Sequence, residues 1–363
     1  MDYASGITLV TVNYNSSKYV SKLLNSIENS LIKFTYPLFL EIIIVDNASN
    51  PNDYQQLIEI TNNYSHNRKI SIKIIRNKRN YGYSGGINLG VKVASHDIVI
   101  ISNPDITFRE DFFQRLSMLP TLFNSNYIIA PKILFKQTLR VNSKGLRIHA
   151  AGYGLLRGLH EQENEENEEN ELILSPHGAL FISSKKILQE LGPFDTFLHS
   201  FLEDLDLGIR AYLRGYRVVY IPYLVAFHEY GISWGVNLSS TKYYLSERNR
   251  LIILLRELPE RFIAASLPFM LLSELISFVY AVNSRYLHLK AIIYADLLKN
   301  LFKILNEREK MKNKDYKLLL SILAKDSTWR FEHLIFENKN VLVVNRLYRG
   351  LKYITKLIWP WGN

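Results

Sequence analysis

Strand-like and helix-like segments alternate between residues 7 and 102 of the chain. Runs of β-branched and other apolar residues predict four strands, 7–12, 40–45, 70–76 and 97–102. Apolar residues spaced three or four positions apart predict the intervening helices, 18–30, 54–63 and 87–94. This alternation predicts an α/β fold with a parallel sheet that helices cover on both faces, and it places ligands at the carboxyl ends of the strands.

Polar residues follow each of the four predicted strands. Asn13 and Tyr14 follow the first strand, Asp46 the second, residues 77–86 the third, and residues 103–105 the fourth. Each of these groups by itself is compatible with ordinary turn and cap chemistry. Because the carboxyl ends of parallel strands meet at one edge of a sheet, all four together predict a single polar cleft.

The stretch NYGYSGGINLG, residues 80–90, is a glycine-rich turn that leads into a predicted helix. Backbone N–H groups at such a helix start suit an anion, so Asn80, Gly86 and Asn88 are candidate contacts. The spacing matches neither the dinucleotide fingerprint nor the P-loop, which disfavours a dehydrogenase. A tight turn with close helix packing explains the glycines equally well.

A second cluster of carboxylates begins at Glu203. The helix dipole and an i,i+4 pair between Asp206 and Arg210 account for Asp206. Asp204 differs, because Gly208 is one turn below it on the same helix face and would leave space for a bound group. We therefore take Asp204 as a candidate functional residue.

Composition excludes several classes of site. The 363 residues include no cysteine, so a disulfide scaffold, a thiolate zinc site and a cysteine nucleophile are all excluded. The N-terminus lacks the basic region of a secretory signal, which predicts a protein inside the cell. A Glu/Asn run over residues 163–171 predicts an exposed loop tip.

The net charge of +10 lies entirely in the last third of the chain. Residues 1–239 carry 23 basic and 23 acidic side chains, whereas residues 240–363 carry 21 and 11, a difference of 10. A basic segment of this kind is typical of contact with nucleic acid or an anionic membrane, and also of a solvated basic face.

Two C-terminal segments favour membrane contact. Residues 262–282 are 21 residues with one charge, Glu274, and an internal Pro268. That length is sufficient to span a bilayer, but the two residues favour a buried or interfacial helical hairpin over a clean span. Residues 345–361 predict an amphipathic helix whose apolar side is opposite its basic side, as in an interfacial helix with Trp359 and Trp361 at headgroup depth.

The order of the motifs resembles that of a known family. VTVNYNSS, IVDNASNPND, NKRNYGYSGGINLG, NPD, GALFIS, FLEDLDLGIR and AFH resemble the inverting family 2 glycosyltransferases of GT-A fold, particularly the rhamnosyltransferase-like branch. The resemblance extends over residues 5–250 and ends at the pair Arg248-Asn249. It implies a mixed, mostly parallel sheet flanked by helices, with a mainly helical C-terminal extension. We expect a catalytic, nucleotide-sugar-binding domain at 1–240 and a basic, membrane-associating helical region at 241–363.

The resemblance also implies a metal site and a catalytic base. Asp105, in the place of the D-x-D motif, would bind Mg²⁺ or Mn²⁺, with His228 completing the site, although a lone histidine is more often a cap or core residue. Asp204 matches the catalytic base, and Glu203 is its neighbour on the acceptor side. The residues implied to contact the sugar donor are Asn13, Tyr14, Asp46, Asn80, Gly86, Asn88, Asn103 and Arg248. Asn103 replaces the first carboxylate of the motif, which weakens the expected dependence on metal.

The sequence thus predicts transfer of a sugar from a UDP- or dTDP-sugar to a glycan or lipid-linked saccharide at the cytoplasmic face of the membrane. A nucleotidyltransferase is the enzymatic alternative, but VNYNSSKY lacks the expected glycine-rich loop with Lys or Arg. A basic nucleic-acid-binding protein is the non-enzymatic alternative, but it leaves the cleft motifs unexplained, so we expect no nucleic-acid partner. The oligomeric state stays open, a homo-oligomer included.

Overall fold

The computed structural model describes residues 6–32, 38–64, 67–119, 126–164, 168–192, 194–229, 239–312 and 316–328. The strands are β1 Ile7–Asn13, β2 Leu40–Asp46, β3 Ile70–Arg76, β4 Ile98–Ser102, β5 Ile106–Phe108, β6 Tyr127–Phe135, β7 Val141–Ser143, β8 Leu146–His149, β9 Gly154–Leu156, β10 Glu171–Ile173, β11 Leu180–Ser184, β12 Arg217–His228 and β13 Ser327–Thr328. The helices are α1 Ser17–Ile32, α2 Pro51–Asn62, α3 Gly82–Val93, α4 Phe112–Ser117, α5 Lys185–Leu191, α6 Glu203–Leu213, α7 Ser240–Arg256, α8 Glu260–Asn283, α9 Leu287–Lys312 and α10 Lys317–Asp326.

The main sheet is mixed, as the family resemblance implies, and not wholly parallel as the strand–helix alternation by itself predicts. Its strand order is β10-β12-β6-β11-β4-β1-β2-β3, with β5 beside β12 and β7 beside β6. Strands β3, β2, β1 and β4 are parallel neighbours, and β12 is parallel to β6. Strand β11 runs antiparallel to both β4 and β6. The half of the sheet formed by β3, β2, β1 and β4 therefore carries the four strand ends of the predicted cleft. The other half adds elements from distant parts of the sequence.

The core has two layers, one on each face of this sheet. Alternate residues of β1 point to opposite faces, so Leu9 packs with α1 and α2 while Val10 packs with α3. The layer around Val10 continues through α5 and α6 into the C-terminal helices, where Ile252 and Phe262 are buried. Helices thus cover both faces, as predicted.

Helix α3 begins at Gly82, five residues before the start that the sequence predicts. Gly82 has a positive φ of 74°, and the glycines that suggest a turn lie inside the helix. A Cβ at Gly86 would lie 2.7 Å from Val12 Cγ2, and one at Gly90 would lie 2.2 Å from Val10 Cγ1. These two glycines permit α3 to pack closely on β1.

The Glu/Asn run is only partly the exposed loop tip that the sequence predicts. Glu163 and Glu168 lie 2.7 Å and 3.2 Å from the ammonium of Lys132, which is fully buried. A buried ammonium requires a counter-charge, so these carboxylates are held against the sheet. Residues 165–167 lie outside the described residues.

Buried ion pairs join the C-terminal helices α7, α8 and α9 to one another. Arg250 is fully buried and pairs with Glu247 and Glu274, while Lys290 pairs with the same two carboxylates. Strand β13 pairs with β8 and returns the chain to the side of the main sheet. The amphipathic helix predicted within 345–361 lies outside the described residues.

Candidate active site

A cleft of about 470 Å³ opens at the carboxyl ends of β1, β2 and β4. Its other walls come from the start of α3, the segment before β11, the loop 199–202, the first turn of α6, and α7. Seven of the residues predicted from the sequence line it: Tyr14, Asn80, Asn103, Asp105, Glu203, Asp204 and His228. A separate surface depression lies between the end of α6 and α10, and its lining contains basic residues but no carboxylate or imidazole. We therefore place the chemistry in the cleft.

Strand pairing brings Asp105 and His228 together from distant parts of the chain. Strands β5 and β12 pair antiparallel with Ile106 opposite His228, which places Asp105 beside the imidazole. His228 Nε2 lies 3.3 Å from Asp105 Oδ1, and its Nδ1 is 3.0 Å from Asn142 Oδ1. Asp105 is 5% exposed. Among the described residues its Oδ1 has no hydrogen-bond partner, since the 3.3 Å approach of His228 Nε2 lacks hydrogen-bond geometry.

This arrangement fits part of a divalent-cation site. Two ligands of one small cation lie roughly 3 Å apart, since each is about 2.0–2.2 Å from the ion, and oxygen and imidazole ligands suit Mg²⁺ or Mn²⁺. Oδ1 of Asp105, which has no hydrogen-bond partner among the described residues, and Nε2 of His228 meet that spacing. No third Asp, Glu or His joins them as a ligand set in the part of the chain that the structure describes. Most of the ligands would therefore come from a bound molecule and water.

His177 is a cleft residue that the sequence reasoning missed. Its ring centroid is 6.0 Å from that of His228, and its buried Nδ1 has no hydrogen-bond partner among the described residues. Burial, together with the neighbouring His228, lowers the pKa of His177 to about 3, so the imidazole is neutral. The sequence signal for His177 is its position directly before the GALFIS motif, which contains the start of β11.

Asp204 and Glu203 lie in the first turn of α6. Asp204 Oδ2 accepts a hydrogen bond of 2.8 Å from the Gly178 N–H, and its Oδ1 accepts one of 2.8 Å from the Leu205 N–H. Burial raises the pKa of Asp204 to about 6, although the two backbone donors partly oppose that shift. Burial and then the charge of Asp204 raise the pKa of Glu203 well above its ordinary value. With a pKa of about 6, Asp204 can exchange a proton near neutral pH.

Gly208 does not leave the space that the sequence predicts. A Cβ there would lie 2.5 Å from the Leu174 carbonyl oxygen and 2.5 Å from Ser175 Cβ. That prediction is wrong, because the backbone of residues 174–175 fills the space beneath Asp204. The predicted pair between Asp206 and Arg210 is confirmed, with Nη2 of Arg210 2.6 Å from Oδ2 of Asp206.

The loop before α6 has an unusual backbone. His199, Phe201 and Leu202 have φ values of 64°, 68° and 64°, a region that non-glycine residues rarely occupy. Nδ2 of Asn249 lies 2.8–2.9 Å from the carbonyl oxygens of Leu198, Ser200 and Phe201 and donates to them. The buried amide of Asn249 thus holds this wall of the cleft in place.

Five predicted residues lie outside the cleft lining. Arg248 pairs with Asp296 and donates a 3.0 Å hydrogen bond to the Phe197 carbonyl, beside the loop that Asn249 holds. Asn88 exchanges two hydrogen bonds, of 2.8 and 2.9 Å, with the backbone of Phe194. Gly86 packs on β1 as described above.

Asn13 and Asp46 are buried beside the cleft but do not line it. Asn13 Nδ2 donates to Asp46 Oδ1 at 2.9 Å and also contacts Ser49 and Asp53, and its Oδ1 accepts from Ser16. Both residues are fully buried. Their hydrogen bonds join the loop after β1 to the loop after β2. Asn47 instead lines the cleft, and Tyr14 is 51% exposed there.

Known proteins resemble this chain in sequence. The family model for glycosyl transferase family 2 matches residues 8–192, and the model for glycosyl transferase family group 2 matches residues 168–298. The low-salt glycan biosynthesis hexosyltransferase Agl10 of Haloferax volcanii is 24% identical over 255 residues, 68% of this chain and 74% of that protein. The poly-β-1,6-N-acetyl-D-glucosamine synthase of Staphylococcus aureus is 24% identical over 226 residues, 61% of this chain. The match spans 49% of the synthase, about half of its length.

A solved structure resembles the fold. The mannosyltransferase PcManGT from Pyrobaculum calidifontis, in complex with GDP-Man and Mn²⁺, has a TM-score of 0.50 at 15% identity, with 85% of each chain covered. At this identity the likeness concerns the fold, and it confirms the GT-A-type architecture with a helical C-terminal part. The family 2 model covers just over half of the chain, including the strands whose ends form the cleft, and the chain therefore belongs to glycosyl transferase family 2.

Proposed function

We propose that this glycosyltransferase moves a sugar from a nucleoside-diphosphate-sugar to a hydroxyl group of a glycan or lipid-linked saccharide, with inversion of the anomeric configuration. The observation that carries the proposal is the position of Asp204. Its carboxylate lines the same cleft as Asp105 and His228, and its pKa of about 6 suits a general base near neutral pH.

Asp204 acts on the acceptor. The acceptor hydroxyl gives its proton to the Asp204 carboxylate as its oxygen forms a bond to the anomeric carbon. The bond from that carbon to the diphosphate oxygen breaks, and its electron pair leaves with the nucleoside diphosphate. A direct attack of this kind inverts the anomeric centre. Burial raises the pKa of Glu203 well above its ordinary value, which disfavours the ionised carboxylate that a covalent intermediate would need and supports this single displacement.

Asp105 and His228 act on the donor in the same cleft. A divalent cation bound by these two side chains would stabilise the negative charge that builds on the leaving diphosphate. Asp105 is almost fully buried, so its carboxylate has a fixed position. Asn142 contacts Nδ1 of His228 and orients the ring. The second ring nitrogen of a metal-ligating histidine commonly has such a partner.

The identity of the sugar donor is the finer part of the proposal. Tyr14 has half of its surface exposed at the edge of the cleft and offers a ring for a nucleobase to stack on. UDP- or dTDP-sugars are the proposed donors, with rhamnose as the first sugar to test. We place the reaction at the cytoplasmic face of the cell membrane, where a lipid-linked acceptor would be presented.

A thermal-shift screen tests this proposal. UDP, dTDP, GDP and their sugars are added with Mn²⁺, with Mg²⁺ or with EDTA, since a ligand at 100 times its Kd stabilises the folded state by about 2.7 kcal/mol. At least one nucleoside diphosphate should raise the melting temperature, and more so with metal. NMR of the product formed from the selected donor should show the anomeric configuration opposite to that of the donor. Failure of every nucleoside diphosphate to stabilise the protein contradicts the proposal, and retention of configuration contradicts the inverting step.

A further inference from the structure

Helices α8 and α9 each expose a set of large apolar side chains, and we call the two sets together the α8–α9 face. On α8 it consists of Leu267, Leu271, Leu275, Phe278, Val279 and Val282, which are 49–65% exposed. On α9 it consists of Leu287, Ile292, Tyr294, Leu298, Leu301, Phe302 and Leu305, which are 36–78% exposed. Apolar patches larger than a few hundred Å² are uncommon on soluble monomers and mark interaction surfaces.

The opposite side of α8 already has its partners. Phe262, Ala265, Phe269 and Ala281 are fully buried at helical spacing against the core. Helix α8 is long and apolar enough to cross a membrane by length and composition, yet a third of its apolar window is buried in the protein. One side of the helix thus packs in the core, and its other side exposes apolar residues.

Ion pairs along the buried side bind α8 to its neighbours. Glu274 pairs with Arg250 on α7 and, at 2.8 Å, with Lys290 on α9. One turn further on, Ser277 Oγ donates to Glu247 Oε2 at 2.8 Å. A transmembrane position would carry this paired cluster into the hydrocarbon region, where charge is costly. The contacts favour a helix that lies along the protein surface.

The charges around the face identify the kind of partner. Among the described side chains from 260 to 310, five exposed charged residues are basic (Arg261, Arg285, Lys299, Lys303 and Lys310), and two are acidic, Glu260 at the start of α8 and Glu309 near the end of α9. Glu274 and Asp296, which lie between these two, are partly buried and paired with Arg250 and Arg248. A second copy of this face would bring like charges together, whereas anionic headgroups complement them.

We propose that the α8–α9 face docks on an anionic bilayer, with both helices lying at the boundary between headgroups and acyl chains rather than spanning it. Apolar side chains facing lipid and flanking basic residues are the features of such interfacial helices. Lys242 and Ser246 of α7, the helix that carries Arg248 and Arg250, line the cleft, so docking places the cleft near the lipid surface. This assigns a lipid-linked class to the acceptor, a step that rests on the proposed function.

The absence of cysteine from the sequence permits a direct test on the full chain. Leu271→Cys and Phe302→Cys are each labelled with a polarity-sensitive fluorophore, with Met118→Cys, on α4's C-terminal side and 66% exposed, as the control. With phosphatidylcholine–phosphatidylglycerol vesicles, the labels at 271 and 302 should shift to the blue and be quenched by shallow spin-labelled lipids. The label at 118 should not change. Labels at Arg261→Cys and Arg285→Cys should both stay accessible to one membrane-impermeant quencher added outside.

Acidic substitutions give the complementary result. The double variant Leu271→Glu/Phe302→Glu should lose flotation with anionic vesicles, whereas Met118→Glu should float like the unmodified protein. Both variants should keep the thermal shift with nucleoside diphosphate, so loss of docking and failure of the proposed function are measured separately. Circular dichroism melts verify that both variants are folded.

Three outcomes overturn the proposal. Labels at 271 and 302 that are already shielded in a lipid-free monomer would mean that residues 329–363 cover the face. The same shielding in a dimer, seen by analytical ultracentrifugation, would make a second copy the occupant. Quenching from deep spin labels, with residues 261 and 285 on opposite sides of the vesicle, would make α8 a membrane span.

Discussion

Arg256 on α7 donates a 2.8 Å hydrogen bond to Asp206 on α6, two residues after the proposed base Asp204. Asp206 is fully buried, and Arg210 contacts its other oxygen. Burial opposes the charge of Asp206, but Arg210 and Arg256 outweigh it and lower its pKa to about 2. The guanidinium of Arg256 also pairs with Glu257 and Asp195. One arginine of the C-terminal helices therefore holds the helix that carries the base.

Replacement of Arg256 by methionine should destabilise the fold strongly. The change leaves Asp206 and Glu257 buried beside a neutral side chain, and breaking a buried pair in this way costs about 3–5 kcal/mol. Urea denaturation measures the loss. The control is Lys299→Met, an exposed position where the expected change is within about 0.5 kcal/mol. Equal stabilities of the two variants would contradict the role assigned to Arg256.

Replacement of Asp204 by asparagine should reduce turnover by a factor on the order of 10² or more while donor affinity stays nearly unchanged. The amide keeps an oxygen near the Gly178 N–H but cannot accept the acceptor proton. Single-turnover rates and donor titration separate the two effects. Glu203→Gln is the matched comparison. Because the raised pKa of Glu203 disfavours its ionised form, the neutral amide should retain more activity than Asp204→Asn. Similar losses in both variants would remove Asp204 from its special role.

The rate should depend on pH through Asp204. A base must be deprotonated to act, so kcat should fall as the pH drops through the pKa of about 6 and level off above it. Asp204→Asn should lose this acidic limb and leave a flat residual rate. A limb that persists unchanged in the variant would assign the titration to another group.

Local sequence patterns predicted the strands well. The strand over 70–76 matches β3 at both ends, and the other three predicted strands agree with β1, β2 and β4 within one residue at each end. These strands are short and rich in β-branched apolar residues, and β1 is buried on both faces, so their local composition predicts them. The start of α3 was missed because glycines that pack a helix closely have the same composition as a turn.

The details of the cleft depend on contacts that sequence patterns do not contain. Asn13 and Asp46 end their strands as predicted, yet they hydrogen-bond to each other across 33 residues and do not line the cleft. His177 enters the cleft because β11 pairs antiparallel with β4, a register that no local pattern specifies. The positive φ values at 199–202 likewise depend on Asn249, nearly 50 residues later. Side-chain partners over such distances are decided by the fold.

Replacement of Asp105 by asparagine should abolish the extra stabilisation that Mn²⁺ gives to nucleoside-diphosphate binding. The amide presents a weaker ligand at the position of the orphaned Oδ1 and cannot neutralise a cation. Thermal shifts with UDP or dTDP, with and without Mn²⁺, measure the difference. Glu59→Gln, an exposed carboxylate on α2, is the control and should behave like the unmodified protein. Undiminished metal linkage in Asp105→Asn would make Asp105 an ordinary turn residue.

Replacement of Asn249 by alanine should loosen the loop 199–202 and slow transfer. The change leaves the carbonyls of Leu198, Ser200 and Phe201 without their shared donor, at a cost of about 1–3 kcal/mol for buried groups left unsatisfied. Backbone in the left-handed region persists only when its surroundings enforce it, so the loop should relax. Because Leu202 directly precedes Glu203 and Asp204, kcat should fall, while metal-linked binding at Asp105, which Asn249 does not contact, should persist. Hydrogen exchange of the amides at 199–202 should accelerate in this variant and not in Asn306→Ala, an exposed asparagine on α9. If exchange and kcat both match the unmodified protein, Asn249 does not position this wall of the cleft.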